Sequence, residues 1–345
     1  MADKLMPMQN IGTDNGNRGE PQNPKSRADR ALFVQNASGE ILVAFERVSV
    51  TEGRFLERSI SEGKSASFPV VGRSRAVYLK KGENLDDKRK QIKHSEVVIH
   101  IDELLTDDVM IYDLEEAMNH FDVRGIYSTQ LGESLAMAKD GSVLAELAIM
   151  INEQKENING LGKSQIIEIG ETTGMVARGK ALITGLTQAR AGLTKVYCPA
   201  KDRTAFVAPD DYSALLAALM PDSANYQALI NPETGTISNV MGFEVVETPH
   251  LTVGGAGFEN PDDESAAATD QQHAFPSTGV VTSDNVVALF AHKTAVGTVK
   301  LRELEMELAR RSNYKADQMI AAYAMGHKGL RPEAAGAIVT KKAEG

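Results

Sequence analysis

The charge of this chain reverses abruptly after residue 93, and no other sequence feature restricts its folding and association as strongly. Residues 47–93 carry twelve basic and six acidic side chains, whereas residues 94–123 carry nine acids and no lysine or arginine. A chain with two complementary charged surfaces can bind copies of itself head to tail, and such contacts close into rings or extend into lattices. The pattern favours self-assembly, although two solvated faces of an ordinary globular protein would also be charged.

We predict that these two segments meet between neighbouring subunits. The predicted interface residues of the basic segment are Arg54, Arg58, Lys64, Phe68, Arg73, Arg75, Lys80 and Lys81. Those of the acidic segment are Asp107, Asp108, Glu115 and Glu116.

Composition limits the other functions open to the chain. With 345 residues, 42% of them hydrophobic, it can form two or three domains with substantial cores. The net charge of −10 argues against general nucleic-acid binding, which requires a basic domain. The single cysteine, Cys198, excludes an intrachain disulfide framework. We expect neither a membrane span nor a secretory signal, because no apolar run is long enough.

Three groups of residues resemble chemical sites, and each has a simpler explanation. Gly160–Ser164 resembles the end of a phosphate-binding loop, but Asn157 occupies the position of its first glycine. The alternating residues His94, Glu96 and His100 share one strand face, where solvated histidines are commoner than a zinc site. Cys198 has no nearby histidine to activate it. We therefore predict no catalytic residues, no metal and no cofactor, and hence no enzyme.

The first half of the chain is predicted to contain an arm, an extended loop and helices. Residues 1–45 are the arm, and residues 46–93 form a two-stranded loop that contains too few large apolar residues for a compact domain. The predicted strands are Ser65–Val71, Arg75–Leu79 and Glu96–Ile101. One helix is expected to begin at Asp107–Asp108, and a longer one to cover 122–151 with a bend or a break near Gly141.

The second half is predicted to be an α/β domain followed by long strands. Its predicted helices are Lys180–Leu193 and Asp210–Met220. Its predicted strands are Lys195–Cys198, Thr204–Ala208, Met241–Val246 and Val286–Phe290. Gly254–Gly279 is expected to be a surface loop because it is rich in small polar residues. The strict alternation in Leu304–Leu308, which Gln318–Met325 can continue, predicts strands despite a helix-forming composition.

Several long blocks of the sequence resemble one protein family. They are Ser59–Arg73 with Lys81–Lys90, Ile111–His120 with Gln130–Met137, Asn239–Val246 with Pro249–Leu251, and Met325–Ala337. Together these blocks are similar to the major capsid proteins of T-seven-like short-tailed (podovirus) double-stranded-DNA bacteriophages. The resemblance extends over about residues 31 to 340 and departs in the arm before Ala31 and in the loop Gly254–Gly279.

The resemblance implies an α+β fold, the Hong Kong ninety-seven type of phage capsid. Such a fold has an N-terminal arm, an extended β-loop, a peripheral domain with a long spine helix and an α/β axial domain. The corresponding ranges here are 1–45 for the arm, 46–93 for the extended loop, 94–169 for the peripheral domain, 170–297 for the axial domain and 298–345 for the return to the peripheral domain.

The resemblance also implies a function. Family members assemble as hexamers and pentamers into an icosahedral shell around double-stranded DNA, in the host bacterial cytoplasm, with a scaffolding protein and a portal. Some relatives cross-link a loop lysine to an asparagine of another subunit; Lys64, Lys80 and Lys81 lie in the loop, but no signature of that reaction accompanies them. The alternatives are an encapsulin-like compartment without viral DNA, an assembly-forming enzyme shell, and a nucleic-acid binder that uses the basic loop.

Overall fold

The computed structural model describes residues 40–45, 48–89, 91–114, 123–170, 173–219, 230–231, 236–237, 239–251 and 273–341. Most of the predicted arm and residues 254–272 of the predicted loop lie outside this part. The chain divides into two compact units. The first unit comprises residues 1–49, 104–136 and 302–324, and the second comprises residues 50–103, 137–301 and 325–345.

The longest helix, α1, covers Val123–Glu153 without interruption. The predicted break near Gly141 is therefore wrong. Gly141 is buried, and the helix around it packs Leu144, Leu147 and Ile151 into the core, so tertiary packing outweighs the roughly 1 kcal/mol propensity cost of a glycine. Gly132 is required by a close approach within the first unit, because a Cβ there would lie 2.5 Å from the Ile41 carbonyl oxygen.

A six-stranded mixed sheet forms the centre of the second unit. Its strands are β5 (Gln165–Ile169), β6 (Arg203–Val207), β9 (Asn239–Val240), β10 (Phe243–Glu247), β11 (Val286–His292) and β14 (Ala335–Thr340). The spatial order is β5-β14-β11-β6-β10-β9. β5 is parallel to β14 and β6 to β10, while β11 is antiparallel to both of its neighbours. The pair β7 (Ile230–Asn231) and β8 (Thr236–Ile237) is separate.

Helices cover both faces of this sheet. On one face Leu144 and Leu147 of α1 join the cluster that contains Phe206 and Leu289. On the other face, helices α2 (Met175–Lys195) and α3 (Pro209–Leu219) pack apolar residues around Phe290. Because successive strand residues point to opposite faces, neighbouring residues such as Leu289 and Phe290 enter different cores.

The helices and central strands of this half agree with prediction apart from Lys195–Cys198. The predicted strand there is wrong, because α2 continues to Lys195 and a turn follows in which the Cys198 amide donates to the Leu193 carbonyl. The predicted surface loop is wrong for its last residues, since Phe275 is buried in the core beside α1.

The extended loop forms a two-stranded hairpin, but the predicted pairing within residues 46–93 is wrong, because the second strand lies beyond that range. Strand β2 (Ser65–Val71) is antiparallel to β3 (His94–His100), with Ser65 opposite His100 and Val71 opposite His94. The predicted strand Arg75–Leu79 is wrong: these residues belong to the irregular tip between the two strands, where their apolar side chains meet no sheet. A short strand, β1 (Leu56–Ser59), precedes β2 and pairs with Gly297–Lys300.

The predicted helix does not begin at Asp107–Asp108; residues 113 and 114 are helical, and residues 115–122 lie outside the described part. Strand β4 (Leu105–Tyr112) occupies the predicted start and pairs in the first unit with β13 (Ala316–Gly329), so that Asp107 lies opposite Ala321 and Val109 opposite Met319. The pairing partner lies about two hundred residues further along the chain, and such nonlocal pairing overrides local helix signals. The long strands predicted from alternation are confirmed as β12 (Val296–Arg311) and β13 (Ala316–Gly329).

Candidate functional site

The tip of the hairpin presents basic and apolar side chains to the outside. Arg58, Lys64, Arg73, Arg75, Lys80 and Lys81 are all exposed. Of these, Arg73, Arg75, Lys80 and Lys81 lie in the tip (residues 72–93), whereas Arg58 and Lys64 precede β2 at the other end of the hairpin. The tip also carries exposed large apolar residues, namely Val77, Tyr78, Leu79 and Leu85, of which Tyr78 is 99% exposed. Aromatic residues rimmed by basic ones are typical of a surface that binds another protein.

Local polar contacts give the tip a defined shape. The Lys80 amide donates to a Glu83 carboxylate oxygen at 3.0 Å, and the Lys88 ammonium donates to the Tyr78 carbonyl at 3.2 Å. Lys88 also pairs with Glu83, and the hydrogen bond from Lys88 lowers the Glu83 pKa. The segment that carries the exposed apolar side chains is therefore held together by its own hydrogen bonds.

Arg58 donates to the Ser67 carbonyl at 3.1 Å, and two further predicted interface residues also make contacts within this chain. Arg54 donates to Glu244 at 2.8 Å and to the Val50 carbonyl at 2.7 Å. Phe68 is half-buried and packs against the cluster formed by Ile99, Val299 and Leu330. Both residues stabilise the subunit itself, and their contribution to an interface stays a prediction.

Arg73 is also engaged within the chain. Its guanidinium lies over the Tyr197 ring, 5.1 Å from the ring centroid. Near it Arg331 donates to the Val71 carbonyl at 3.2 Å and faces the buried Glu333, whose pKa is raised by burial. These contacts fix the place where the hairpin turns into its tip.

The acidic interface residues are only partly available. Asp107 accepts a hydrogen bond from Ser134, and Asp108 accepts one from Gln318 at 2.6 Å. Asp108 is exposed, whereas Asp107 is half-buried. Glu115 and Glu116 lie outside the described residues.

Asp140 of α1 anchors the N-terminal base of the hairpin. Its carboxylate, buried in the second unit, accepts hydrogen bonds from the Val50 amide at 2.6 Å, the Thr51 amide at 3.1 Å and the Thr51 hydroxyl. Hydrogen bonds to an ionised acceptor are the stronger kind. This end of the hairpin is therefore attached to the helix by main-chain contacts.

Beside Asp140, two lysines and two glutamates form a quartet in which only Lys139 is fully buried. Lys139 of α1, whose side chain is 1% exposed, pairs with Glu52 and lies 3.4 Å from Glu57. Lys300 of β12 pairs with the same carboxylates at 2.9 and 2.6 Å. Burial, together with the charge of Lys300, lowers the Lys139 pKa to about 7.

His273 anchors the C-terminal base of the hairpin. Its Nε2 lies 2.9 Å from Asp102, just after β3, and its Nδ1 lies 2.8 Å from Glu146 of α1. Burial opposes the charge on His273, but the hydrogen bonds to these two carboxylates outweigh it and raise the pKa to about 9. The ring also contacts His327 edge to face, with a centroid distance of 5.9 Å.

His327 has the opposite electrostatic environment. It is fully buried, and burial together with the charges of His273, Lys139 and Lys300 lowers its pKa to about 3. Its Nδ1 lies 3.0 Å from the Thr298 hydroxyl. At neutral pH this imidazole is therefore uncharged, although it contacts His273 and is close enough to the lysines of the quartet to be affected by their charges.

The three groups of residues that resembled chemical sites lack the surroundings that such sites need. Gly160–Ser164 lies between α1 and strand β5, so the helix that should follow a phosphate-binding loop is missing, and that alternative is wrong. His94, Glu96 and His100 lie on the exposed face of β3, and the part of the chain that the structure describes holds no group of side chains suited to a metal ion. Burial raises the Cys198 pKa, which makes the thiol less reactive.

Across the described ranges, no helix has the length and apolar character to cross a membrane.

Sequence reasoning missed the residues at the base of the hairpin. Lys139 and Asp140 were visible as an adjacent charged pair inside the apolar helical stretch Leu135–Ile151, and buried charges in such a place need partners. His273 gave no signal, since it lies in a segment of loop-like composition.

Comparison with known proteins shows one consistent family. Residues 67–339 match the family model described as Gp10A-like, major capsid protein. The chain is 61% identical over 347 residues to the major capsid protein of Enterobacteria phage T3, covering 97% of both chains. It is 59% identical over 323 residues to that of Escherichia phage T7, covering 90% of this chain and 92% of the other. Among solved structures, the capsid of cyanophage P-SCSP1u matches with a TM-score of 0.67 and 29% identity, over 86% of this chain and 89% of the other.

Proposed function

This chain belongs to the Gp10A-like family of major capsid proteins, and we propose that its copies assemble as hexamers and pentamers into the icosahedral shell around the double-stranded DNA of a T7-like phage. The observation that carries this conclusion is the 61% identity to the T3 major capsid protein over 97% of both chains. Identity this high over nearly full length leaves no room for a different fold. The structural match to the cyanophage capsid agrees with the Hong Kong ninety-seven type fold.

In such a shell the hairpin tip docks on a neighbouring copy. The tip offers Tyr78 as an exposed aromatic anchor, surrounded by Arg75, Lys80 and Lys81. Aromatic residues contribute most of the binding energy in protein interfaces, whereas an exposed ion pair contributes about 0 to 1 kcal/mol. Each docking contact is modest, and its repetition at every subunit of a closed shell makes the assembly stable.

The acidic face that receives the tip includes Asp108, together with Glu115 and Glu116 from the same region of the sequence. Charge complementarity of this kind sets orientation and association rate more than affinity. The net charge of −10 allows the subunit to enclose DNA without binding it tightly. A scaffolding protein and a portal guide assembly in the host cytoplasm, and the subunit performs no catalysis of its own.

Electron microscopy combined with nuclease protection tests this function. The full-length chain, produced together with the scaffolding protein of its phage, should form closed shells of uniform size. Particles isolated from infected cells should protect double-stranded DNA from nuclease. Uniform shells that never contain DNA in infected cells would favour the encapsulin-like compartment, and a soluble oligomer without shells would contradict both.

A further inference from the structure

Both ends of the hairpin are attached to the same side of α1, but by different chemistry. The N-terminal base (Val50–Glu57) meets Lys139 and Asp140, and the C-terminal base (Asp102) meets Glu146 through His273. Lys139 and Glu146 are seven residues apart, which is two helical turns, and therefore lie on one face of the helix. All of these residues belong to the second unit.

The N-terminal attachment does not depend on a titrating histidine. Asp140 binds two backbone amides and a hydroxyl, none of which changes protonation near neutral pH. In the adjoining quartet Lys300 pairs with Glu52 and Glu57. The hydrogen bonds to Asp140 therefore hold this end of the hairpin independently of His273.

The C-terminal attachment requires a proton on His273. Both ring nitrogens face a carboxylate oxygen, Asp102 at 2.9 Å and Glu146 at 2.8 Å. Only the imidazolium can donate from both nitrogens; a neutral ring donates from one and turns a lone pair toward the other carboxylate. Deprotonation therefore replaces one attraction by a repulsion and leaves two carboxylates facing each other across the ring.

The other titratable groups around His273 do not take part in this bridge. His327 contacts the His273 ring and is neutral, and Lys139 and Lys300, whose charges act on His327, are paired with Glu52 and Glu57. Asp140 is held by Thr51, and the nearby His250 has a pKa lowered by burial. The bridge between Asp102 and Glu146 is thus made by the imidazolium of His273.

We propose that His273 is a pH-dependent pin: its imidazolium holds the C-terminal base of the hairpin against α1, and loss of the proton releases that base while Asp140 keeps the other end in place as a hinge. The chain around Asp102 then opens locally, whereas β2 and β3 stay packed through Ile99 on Val299 and Leu330. Opening of this base would affect docking between subunits only if the hairpin tip binds a neighbouring copy, and in that respect the inference rests on the proposed function.

The pKa of about 9 gives the pH range. The folded value lies above the ordinary 6.5, so the stabilisation is fully present below pH 6.5 and is lost as the pH rises through 9. Neutral solutions keep the pin closed, and alkaline solutions open it.

Hydrogen exchange in the full-length subunit tests the proposal. The Asp102 amide donates to the Met325 carbonyl at 3.0 Å and reports on the C-terminal base, whereas the Val50 and Thr51 amides report on the N-terminal base. Relative to the intrinsic rate at each pH, exchange at Asp102 should increase by roughly 50- to 100-fold between pH 7 and pH 10. Exchange at Val50 and Thr51 should change little.

Two histidine variants separate the pin from general effects of pH. In His273→Gln, exchange at Asp102 should already be fast at pH 7 and should no longer respond to pH. His100→Gln, an exposed residue of β3, should behave as the wild type. Equal protection of Asp102 at both pH values in the wild type would overturn the proposal, as would an NMR titration that gives His273 a pKa near 6.5.

The second of these measurements needs no variant, so a His273→Gln chain that fails to fold leaves the test intact. Exchange is measured in the unassembled subunit, and shell formation is scored separately by electron microscopy. Failure of the pin and failure of the capsid assignment are therefore distinguishable.

Discussion

Thr51 donates two hydrogen bonds to one carboxylate oxygen of Asp140, one from its backbone amide at 3.1 Å and one from its hydroxyl. The two residues are 89 positions apart, and both are buried. The contact joins the start of the extended hairpin to the middle of the long helix, so the two segments are held in a fixed relative position at this point.

Replacing Asp140 should destabilise the subunit strongly. Asp140→Ala leaves the Val50 and Thr51 amides without their acceptor, and we expect a loss of roughly 3 kcal/mol or more, because each buried unsatisfied donor costs about 1 to 3 kcal/mol. Asp140→Asn, which keeps one acceptor oxygen, should lose less. Urea denaturation measures both, with the exposed Asp108→Asn as a control that should remain within about 0.5 kcal/mol of the wild type.

Gly326 should not tolerate even a methyl group. A Cβ at this position would overlap the His100 carbonyl oxygen, so Gly326→Ala should cost roughly 1 to 3 kcal/mol. The matched control is Gly170→Ala, whose Cβ meets no described atom within 4 Å and should be neutral or slightly stabilising. In thermal unfolding, Gly326→Ala should melt below the wild type, whereas Gly170→Ala should melt at or slightly above it. Equal melting temperatures for the two variants would contradict the packing argument.

The stability of the subunit should depend on pH through His273. Between pH 7 and pH 10 the loss of the His273 proton should cost about 2 to 3 kcal/mol, because the pKa falls from about 9 to 6.5 on unfolding. Lys139 acts in the opposite direction: its lowered pKa means that the unfolded chain binds a proton that the folded chain lacks, so stability rises with pH. The difference between wild type and His273→Gln, measured by urea denaturation at each pH, isolates the histidine. A difference that stays constant from pH 7 to pH 10 would refute the assignment.

Charge reversal on the exposed hairpin should abolish assembly and spare folding. Arg54, Arg58, Phe68 and Arg73 make contacts within the chain, so the sharper variant combines Lys64→Glu, Arg75→Glu, Lys80→Glu and Lys81→Glu. It should give a soluble subunit with a normal melting temperature that forms no stable shells. The control exchanges arginine and lysine at the same four positions and should assemble. Wild-type shells should loosen as salt rises, which light scattering can follow.

Tyr78→Ala should weaken shells more than any single charge change at the tip. The side chain is 99% exposed in the subunit, so its loss should not affect folding. As the aromatic anchor of the contact it should cost about 1 kcal/mol or more for each docked hairpin. Shell dissociation in urea, compared with Tyr78→Phe, measures this contribution; an unchanged dissociation midpoint would place the anchor elsewhere.

The sequence by itself determined the family, the strands with strict alternation and the basic character of the extended loop. Long identical blocks specify a fold through many residues at once, and the alternation in Leu304–Leu308 is a local property that survives into β12. Local composition also predicted the helices α2 and α3, because their apolar periodicity lies within a few turns.

Only the tertiary structure decided which residues meet across the chain. Asp107 lies in a strand because it pairs with β13, which is far away in sequence. Strand β2 pairs with β3 and not with the nearer residues Arg75–Leu79. His273 bridges to Asp102 and Glu146, which lie 171 and 127 positions before it, and neither spacing nor composition encodes such a contact. Burial lowers the pKa of both His273 and His327, but hydrogen bonds to Asp102 and Glu146 raise that of His273 above its ordinary value. These surroundings exist only once the chain is folded.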